Sequence, residues 1–185
     1  MQSAPRARLH VLSSDESDAA GATLVTAFMR DPVNAWFNKG RTQEEMRGRA
    51  EALFAQVLAR LDNTVIALDD YSAASVWEYR TMEPEKRALE GPAARIEVTA
   101  FMAAVEALAP PLPYTYLAFL GAKESGKGSG SELLKRTLQL HKGKRVFLWT
   151  GTSRNATFYK RHGFHVYSEC HVPGSSCWWM FSDVH

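Results

Sequence analysis

The chain has 185 residues, a formal net charge of +2, and 45% hydrophobic and 23% charged residues. That length suits one domain with a real hydrophobic core. The near-neutral balance excludes the strong basic footprint of a nucleic-acid binder, and Lys142, Lys144 and Arg145 read as a solvated helix end or loop. No apolar run reaches membrane-spanning length. Met1 to Arg8 lacks the apolar segment of a secretory signal and reads as a loose tail, so the cytoplasm is the expected location. Cys170 and Cys177 are expected as reduced thiols, and without a CxxC pair no metal site is expected.

In chain order, Leu9–Leu12 reads as a short strand. Ser14 or Asp15 can cap a helix with Ala19, Ala20, Leu24 and Ala27 on one face. Asp31-Pro32 should end it, because the residue before a proline disfavours the α region. Pro32–Gly40, with Trp36 and Phe37, then reads as loop. A second helix is expected from about Gln43 to Leu61, with Met46, Leu53, Phe54, Val57 and Leu61 as its apolar set. Thr64–Leu68 and Ala73–Tyr79 flank the turn signal Asp69-Asp70 and should form a hairpin. Pro84–Ala109 reads as mostly helical, with a break at Gly91-Pro92.

Pro110-Pro111-Leu112-Pro113 is a rigid connector into a strand, Tyr114–Gly121. A helix over Ser129–His141 would turn Leu133, Leu134, Thr137 and Leu138 inward and close at Gly143. Val146–Trp149 is a strand. Ser153 or Asn155 then caps a short helix through His162. Phe164–His171 and Cys177–Phe181 are final strands around Pro173-Gly174. In the pair Trp178-Trp179 one ring must point away from the core. Strand–helix–strand units predict parallel pairing and hairpins predict antiparallel pairing, so a mixed sheet is expected. Residues 1–185 are expected to form a single domain, as a monomer or a homodimer.

The most informative stretch joins the Tyr114–Gly121 strand to the following helix. Gly126, Gly128 and Gly130 remove side chains beside a helix N-terminus, where unpaired N–H groups and the macrodipole favour an anion. A phosphate or pyrophosphate is the natural guest. Gly121 to Gly126-Lys127 matches the GxxxxGK of a nucleotide-binding P-loop, but Gly128 stands where a Ser or Thr hydroxyl must reach Mg²⁺. The spacing Gly126-x-Gly128-x-Gly130 also misses the dinucleotide fingerprint GxGxxG.

A third reading is acyl-CoA binding. Ser125-Gly-Lys-Gly-Ser-Gly130 resembles the (Q/R)xxGxG/A loop of the GNAT superfamily of acetyltransferases. Downstream, Trp149 to Phe164, with Asn155-Ala-Thr-Phe-Tyr-Lys-Arg-His-Gly-Phe164, resembles that family's second block. The two blocks have the family's order and separation. The chain departs in having only Lys123-Glu-Ser125 before the loop, with Ser125 where Gln or Arg is common. Phe28–Trp36 and the ending from Val172-Pro173 to Trp178-Trp179-Met180 are similar to the puromycin N-acetyltransferase-like group.

The resemblance implies an α/β fold with a mixed, mostly antiparallel central sheet flanked by helices, and with splayed strands forming a CoA slot. It implies acetyl-CoA as cosubstrate, bound by about residues 113–165, and a small-molecule primary amine as acceptor, an antibiotic or a metabolite. The phosphates would rest on the backbone of Gly126, Lys127, Gly128, Gly130 and Ser131, and the pantetheine arm along Leu120, Gly121 and Ala122. An N–H near Ala122 would be the oxyanion donor, an interaction worth about 3 kcal/mol. Asn155, Phe158 and Arg161 would complete the cofactor contacts.

Tyr159 is the candidate general acid, since a phenol with an ordinary pKa of about 10 is protonated at pH 7 and can donate to a departing thiolate. Glu78 is the candidate general base, with Tyr116 and Glu97 as alternatives. Trp36, Tyr79, Tyr116 and Trp149, with Trp77 and Tyr114, could line an aromatic acceptor pocket. Each of these rings has an ordinary reading as core. A GNAT-fold domain that binds acyl-CoA without turnover is the rival reading, and a P-loop-type nucleotide binder is the remaining one.

Overall fold

The computed structural model describes residues 8–13, 16–81, 96–172 and 175–185. The expected caps Ser14 and Asp15, the first part of the Pro84–Ala109 helical reading with its Gly91-Pro92 break, and the Pro173-Gly174 turn lie outside the described residues, as does nearly all of the expected tail; the later part of that reading is helical over Ile96–Ala107. The elements are β1 (Leu9–Val11), α1 (Ser17–Phe28), α2 (Pro32–Phe37), α3 (Gln43–Leu58), β2 (Asn63–Leu68), β3 (Ala73–Arg80), α4 (Ile96–Ala107), β4 (Tyr114–Ala122), α5 (Ser129–Leu140), β5 (Arg145–Thr150), α6 (Ser153–Lys160), β6 (His165–Val172) and β7 (Ser175–Asp183). The seven strands form one sheet in the order β1-β2-β3-β4-β5-β7-β6. The β1–β2, β2–β3, β5–β7 and β6–β7 pairs are antiparallel and the β4–β5 pair is parallel, so the sheet is mixed and mostly antiparallel.

The chain groups into two compact units, one up to Glu78 with Ala118–Leu140, the other Tyr79–Leu117 with His141–His185. In the first, β2 and β3 form the expected hairpin, with Val65 opposite Val76 and Ala67 opposite Ala74. These four residues share a core with Ala20, Leu24, Val25 of α1 and Ala50, Phe54, Val57, Leu58 of α3. Phe28, Phe54 and Phe119 meet there edge to face, with centroids 4.9–5.4 Å apart. Alternation along the strands turns Ile66 and Trp77 to the opposite side, and both are fully buried. Helices α1 and α3 contact β2, and α5 contacts β1 and β2. Its inward residues are those expected: Leu133, Leu134, Thr137 and Leu138 are all buried.

In the second unit, α4 covers β6 and β7. The Trp179 indole N–H donates to the Val105 carbonyl at 2.7 Å, and the Ser168 hydroxyl to the Leu108 carbonyl at 3.0 Å. Trp179 is buried, whereas Trp178 turns away and donates to Glu169 at 2.9 Å, so the pair divides as alternation requires. Strand β7 lies between β5 and β6. The strand–helix–strand unit β5-α6-β6 therefore does not produce a parallel pair.

Three local expectations are corrected. Pro32–Phe37 is a helix and not a loop, because Asp31 accepts from the N–H groups of Val33 and Asn34 and Pro32 occupies the first turn, where its missing N–H costs nothing. Helix α3 ends at Leu58, and Leu61 is 103% exposed rather than part of the apolar set. Its start is a capping box, in which the Thr42 hydroxyl accepts from the Glu45 N–H and the Glu45 carboxylate accepts from the Thr42 N–H. The cap of α6 is Thr152, whose hydroxyl accepts from the Asn155 N–H, rather than Ser153 or Asn155. No helix among the described residues is long and apolar enough to cross a membrane.

Candidate functional site

The glycine loop belongs to the first unit. Leu120, Gly121 and Ala122 end β4, Lys123 to Gly128 form an exposed turn, and Gly130 and Ser131 lie in the first turn of α5. Gly126 and Gly128 have φ of +80° and +90°, a region that favours glycine. A Cβ at either would meet nothing within 4 Å. Both glycines are thus set by backbone conformation, and the space in front of them is open. The N–H groups of the first α5 turn have no intrahelical acceptors, and Glu132 is the first residue to bond back, to the Gly128 carbonyl at 2.9 Å. Open space bordered by N–H groups and the exposed Lys127 is suited to an anion.

Gly121 has a different reason to be glycine. A Cβ there would lie 2.8 Å from the Ala27 Cβ and 3.2 Å from Leu24 Cδ2, so α1 packs directly on its backbone. Beyond it, the Arg30 guanidinium donates to the Ala122 carbonyl at 2.7 Å and the Lys123 N–H to the Ser72 carbonyl at 2.9 Å. Sequence reasoning missed Arg30, because a contact spanning 92 residues leaves no local signal.

Of the other candidates in this unit, Trp36 lies on α2, partly exposed, with its ring 5.5 Å from that of Phe37. Glu78 pairs with Asn63 near the end of β3. It is half-buried and follows the buried Trp77, so it projects from the opposite face of the strand.

The second unit holds the remaining candidates. Asn155, Phe158 and Tyr159 are half-buried on α6, and Arg161 is exposed at its C-cap. Tyr159 packs on Phe158 at 5.2 Å and on Phe164 at 5.6 Å, and its carbonyl accepts from the Phe164 N–H at 3.1 Å. The Gly163 turn, with φ of +83°, thereby folds Phe164 back on the helix. Tyr116 is buried, 5.8 Å from the Trp179 ring, with the Arg80 guanidinium 3.6 Å from its own ring centre. Trp149 is partly buried and meets Phe101 at 5.9 Å. Tyr79 is 63% exposed. The parallel β4–β5 ladder covers Thr115↔Val146 and Tyr116↔Phe147, and both strands run on past it.

Cys170 and Cys177 face each other across β6 and β7 as free thiols. Burial pushes the Cys177 thiol up to about 12, with Cys170 adding to the shift. A thiol so raised is a poor source of thiolate at neutral pH.

No protein-family model matches the chain, and no curated protein matches it in sequence. Solved structures match over nearly the whole length. A protein from Corynebacterium glutamicum described as histone acetyltransferase HPA2 and related acetyltransferase is 18% identical, with 97% of each chain covered and a TM-score of 0.70. Arylalkylamine N-acetyltransferase 7 of the yellow fever mosquito, as that protein is described, is 16% identical over 96% of this chain and 87% of its own, with a TM-score of 0.69. PaiA N-acetyltransferase from Thermoplasma acidophilum, solved in complex with coenzyme A, is 14% identical over 95% and 98%, with a TM-score of 0.56. At such identities the likeness is one of fold. The mixed seven-stranded sheet with flanking helices is an acetyltransferase architecture. Specifically, the chain has the fold of GNAT-family acetyltransferases.

Proposed function

We propose that the chain is an acetyl-CoA-dependent N-acetyltransferase that acts on the primary amine of a small molecule by direct attack in a ternary complex. The observation that carries this reading is the glycine loop. On a GNAT fold it sets two positive-φ glycines with open space before a helix N-terminus. The backbone of Gly126, Lys127, Gly128, Gly130 and Ser131 would hold the pyrophosphate, and Leu120, Gly121 and Ala122 would carry the pantetheine arm. The coenzyme A bound to the Thermoplasma protein supports that donor. Asn155, Phe158 and Arg161 are assigned to the cofactor on the strength of the Asn155–Phe164 block.

When bound, acetyl-CoA supplies the activated acetyl group. The chain must bind it, orient the amine, accept the amine's proton and donate one to the departing sulfur. Tyr159 is the proposed acid. Glu78 is the proposed base, acting directly or through ordered water. Direct attack is favoured over an acyl-enzyme because Cys177 is buried with its thiol raised to about 12. Trp36, Tyr79, Tyr116 and Trp149 are the proposed acceptor residues. Their aromatic character, and the arylalkylamine name of the mosquito neighbour, support an amine with an aromatic or apolar body. The likeness to the puromycin-type group supports an antibiotic or related metabolite.

The test is release of free CoA thiol from acetyl-CoA with a panel of amines that includes arylalkylamines and puromycin. Turnover with at least one amine is expected, and Tyr159→Phe should lose most of it while retaining acetyl-CoA binding. If acetyl-CoA neither raises the melting temperature nor turns over with any amine, the proposal fails. A melting shift without turnover would identify a binding domain instead.

A further inference from the structure

The last two residues of β4 and the residue after them are each held by a separate contact, from α1, from the turn just after it and from the turn before β3. Leu24 and Ala27 press on Gly121, where even a Cβ would come within 2.8 Å of Ala27. Arg30 donates to the Ala122 carbonyl at 2.7 Å. Leu24 and Ala27 lie on one face of α1, and Arg30 follows in the turn just beyond its Met29 C-cap. Lys123 donates to the Ser72 carbonyl, and the preceding carbonyl, Tyr71, accepts from the Thr23 hydroxyl of the same helix at 2.7 Å. From Glu124 to Gly128 the chain is exposed. The boundary between fixed strand and open loop therefore falls where α1 stops holding the backbone.

Arg30 is itself well anchored. Its N–H donates to the Ala27 carbonyl at 3.2 Å, and the Asp31 N–H to the Phe28 carbonyl at 3.0 Å. Asp31 then caps α2 through Val33 and Asn34, and the Asn34 amide returns to the Phe28 carbonyl at 3.1 Å. The α1–α2 junction is thus closed on both sides of Arg30, and its side chain starts from a fixed point. A guanidinium is always charged, so its hydrogen bond to the Ala122 carbonyl is charge-assisted at any working pH.

We infer that Arg30 is a positioning residue of the donor site, holding the Ala122 carbonyl so that the backbone of Gly121, Ala122 and Lys123 is already in place when an acyl-CoA thioester arrives. This inference rests on the acetyltransferase reading above. Arg30 acts through Ala122 and does not touch the reacting atoms. Preorganisation lowers the ordering cost of binding, so its loss should appear in donor affinity.

The test uses Arg30→Met, which keeps the apolar stem, and Arg30→Lys, which keeps one donor. Hydrogen exchange of a peptide covering Leu120–Ser125 is followed in the ligand-free chain. KM and kcat are measured with acetyl-CoA and with S-acetyl-pantetheine, which has no phosphates. In Arg30→Met, exchange should quicken and KM should rise roughly tenfold for both donors, as loss of one charge-assisted hydrogen bond implies. The value of kcat should change far less, and Arg30→Lys should recover part of the loss. Unchanged exchange overturns the inference. So does a KM penalty confined to acetyl-CoA, which would make Arg30 a reader of phosphate charge. A wild-type chain that binds neither donor sinks the acetyltransferase reading, while the exchange result still judges the clamp.

Discussion

Replacing Gly126 and Gly143 separately by alanine isolates the ligand role of the glycine loop from its conformational one. The two positions are matched. Their φ values are +80° and +78°, and a Cβ at either would meet nothing within 4 Å. An L-residue held in the left-handed region costs about 1–2 kcal/mol. For a chain of this size each 1 kcal/mol lowers the melting temperature by about 2–4 °C, so both variants should lose roughly 2–8 °C. Only Gly126 lies in the loop ahead of α5, whereas the Gly143 N–H donates to the Val184 carbonyl at 2.7 Å, beyond the helix's other end. If the loop holds the pyrophosphate as proposed, a methyl group at Gly126 would stand where a phosphate oxygen comes to about 3 Å from a backbone nitrogen. Losing one such charge-assisted bond costs about 1.5–3 kcal/mol, roughly ten- to a hundredfold in affinity. Differential scanning fluorimetry and calorimetric titration with acetyl-CoA read both quantities. Equal melting losses with weakened binding in Gly126→Ala alone are expected. Wild-type affinity in Gly126→Ala, or an equal affinity loss in Gly143→Ala, would refute the reasoning.

Three further outcomes follow from the surroundings of particular side chains. Thr42→Ala removes the α3 capping box and should cost about 1 kcal/mol in urea unfolding. Ellman's reagent should titrate the half-buried Cys170 in the native chain, but reach the buried Cys177, its thiol raised to about 12, only after denaturation. Equal native reactivity would contradict the packing of β6 and β7. Burial, with Lys144 adding to it, pushes the His141 imidazole below its ordinary 6.5. The unfolded chain then binds the proton more readily than the folded one. The contribution of His141 to stability is therefore complete above pH 6.5 and is lost as pH falls toward the lowered folded value. His141→Gln should flatten the acid side of the stability profile, as urea midpoints across that range would show.

Much of the fold was legible because its signals are local. The period of α5 identified all four inward residues. The Asp69-Asp70 turn between two apolar runs marked the β2–β3 hairpin. What failed was local in a different way. Asp31-Pro32 does end α1, but the loop reading of Pro32–Gly40 fails, because Asp31 is also a good cap and a proline suits the first turn of α2. The apolar period of α3 was extended to Leu61, but periodicity carries no information about where the backbone leaves the helix. Thr152 was overlooked as a cap because the serine and asparagine after it are equally good formers. The insertion of β7 between β5 and β6 was not legible at all, since strand order is decided by long-range packing.

The candidate site divides along the same line. The sequence reads Gly126, Gly128 and Gly130 as a device for admitting phosphate and Gly121 as part of the pantetheine-bearing strand end, and the structure gives Gly121 a different constraint. Gly126 and Gly128 need the sign of their φ and leave open space, the combination expected where a ligand must approach the backbone. Gly121 is required by protein, because α1 lies against it at a distance no Cβ tolerates. A sequence shows only that a side chain is absent, not whether a ligand or a helix occupies the room. The distinction has a functional consequence. The short Lys123-Glu-Ser125 approach leaves little chain in which a misplaced strand end could be corrected before the loop begins. With Gly121, Ala122 and Lys123 each held from α1 or from the turn that α1 supports, a short approach is an extension of the strand's rigidity into the loop. Helix α1 should then matter to donor binding as much as the glycines do.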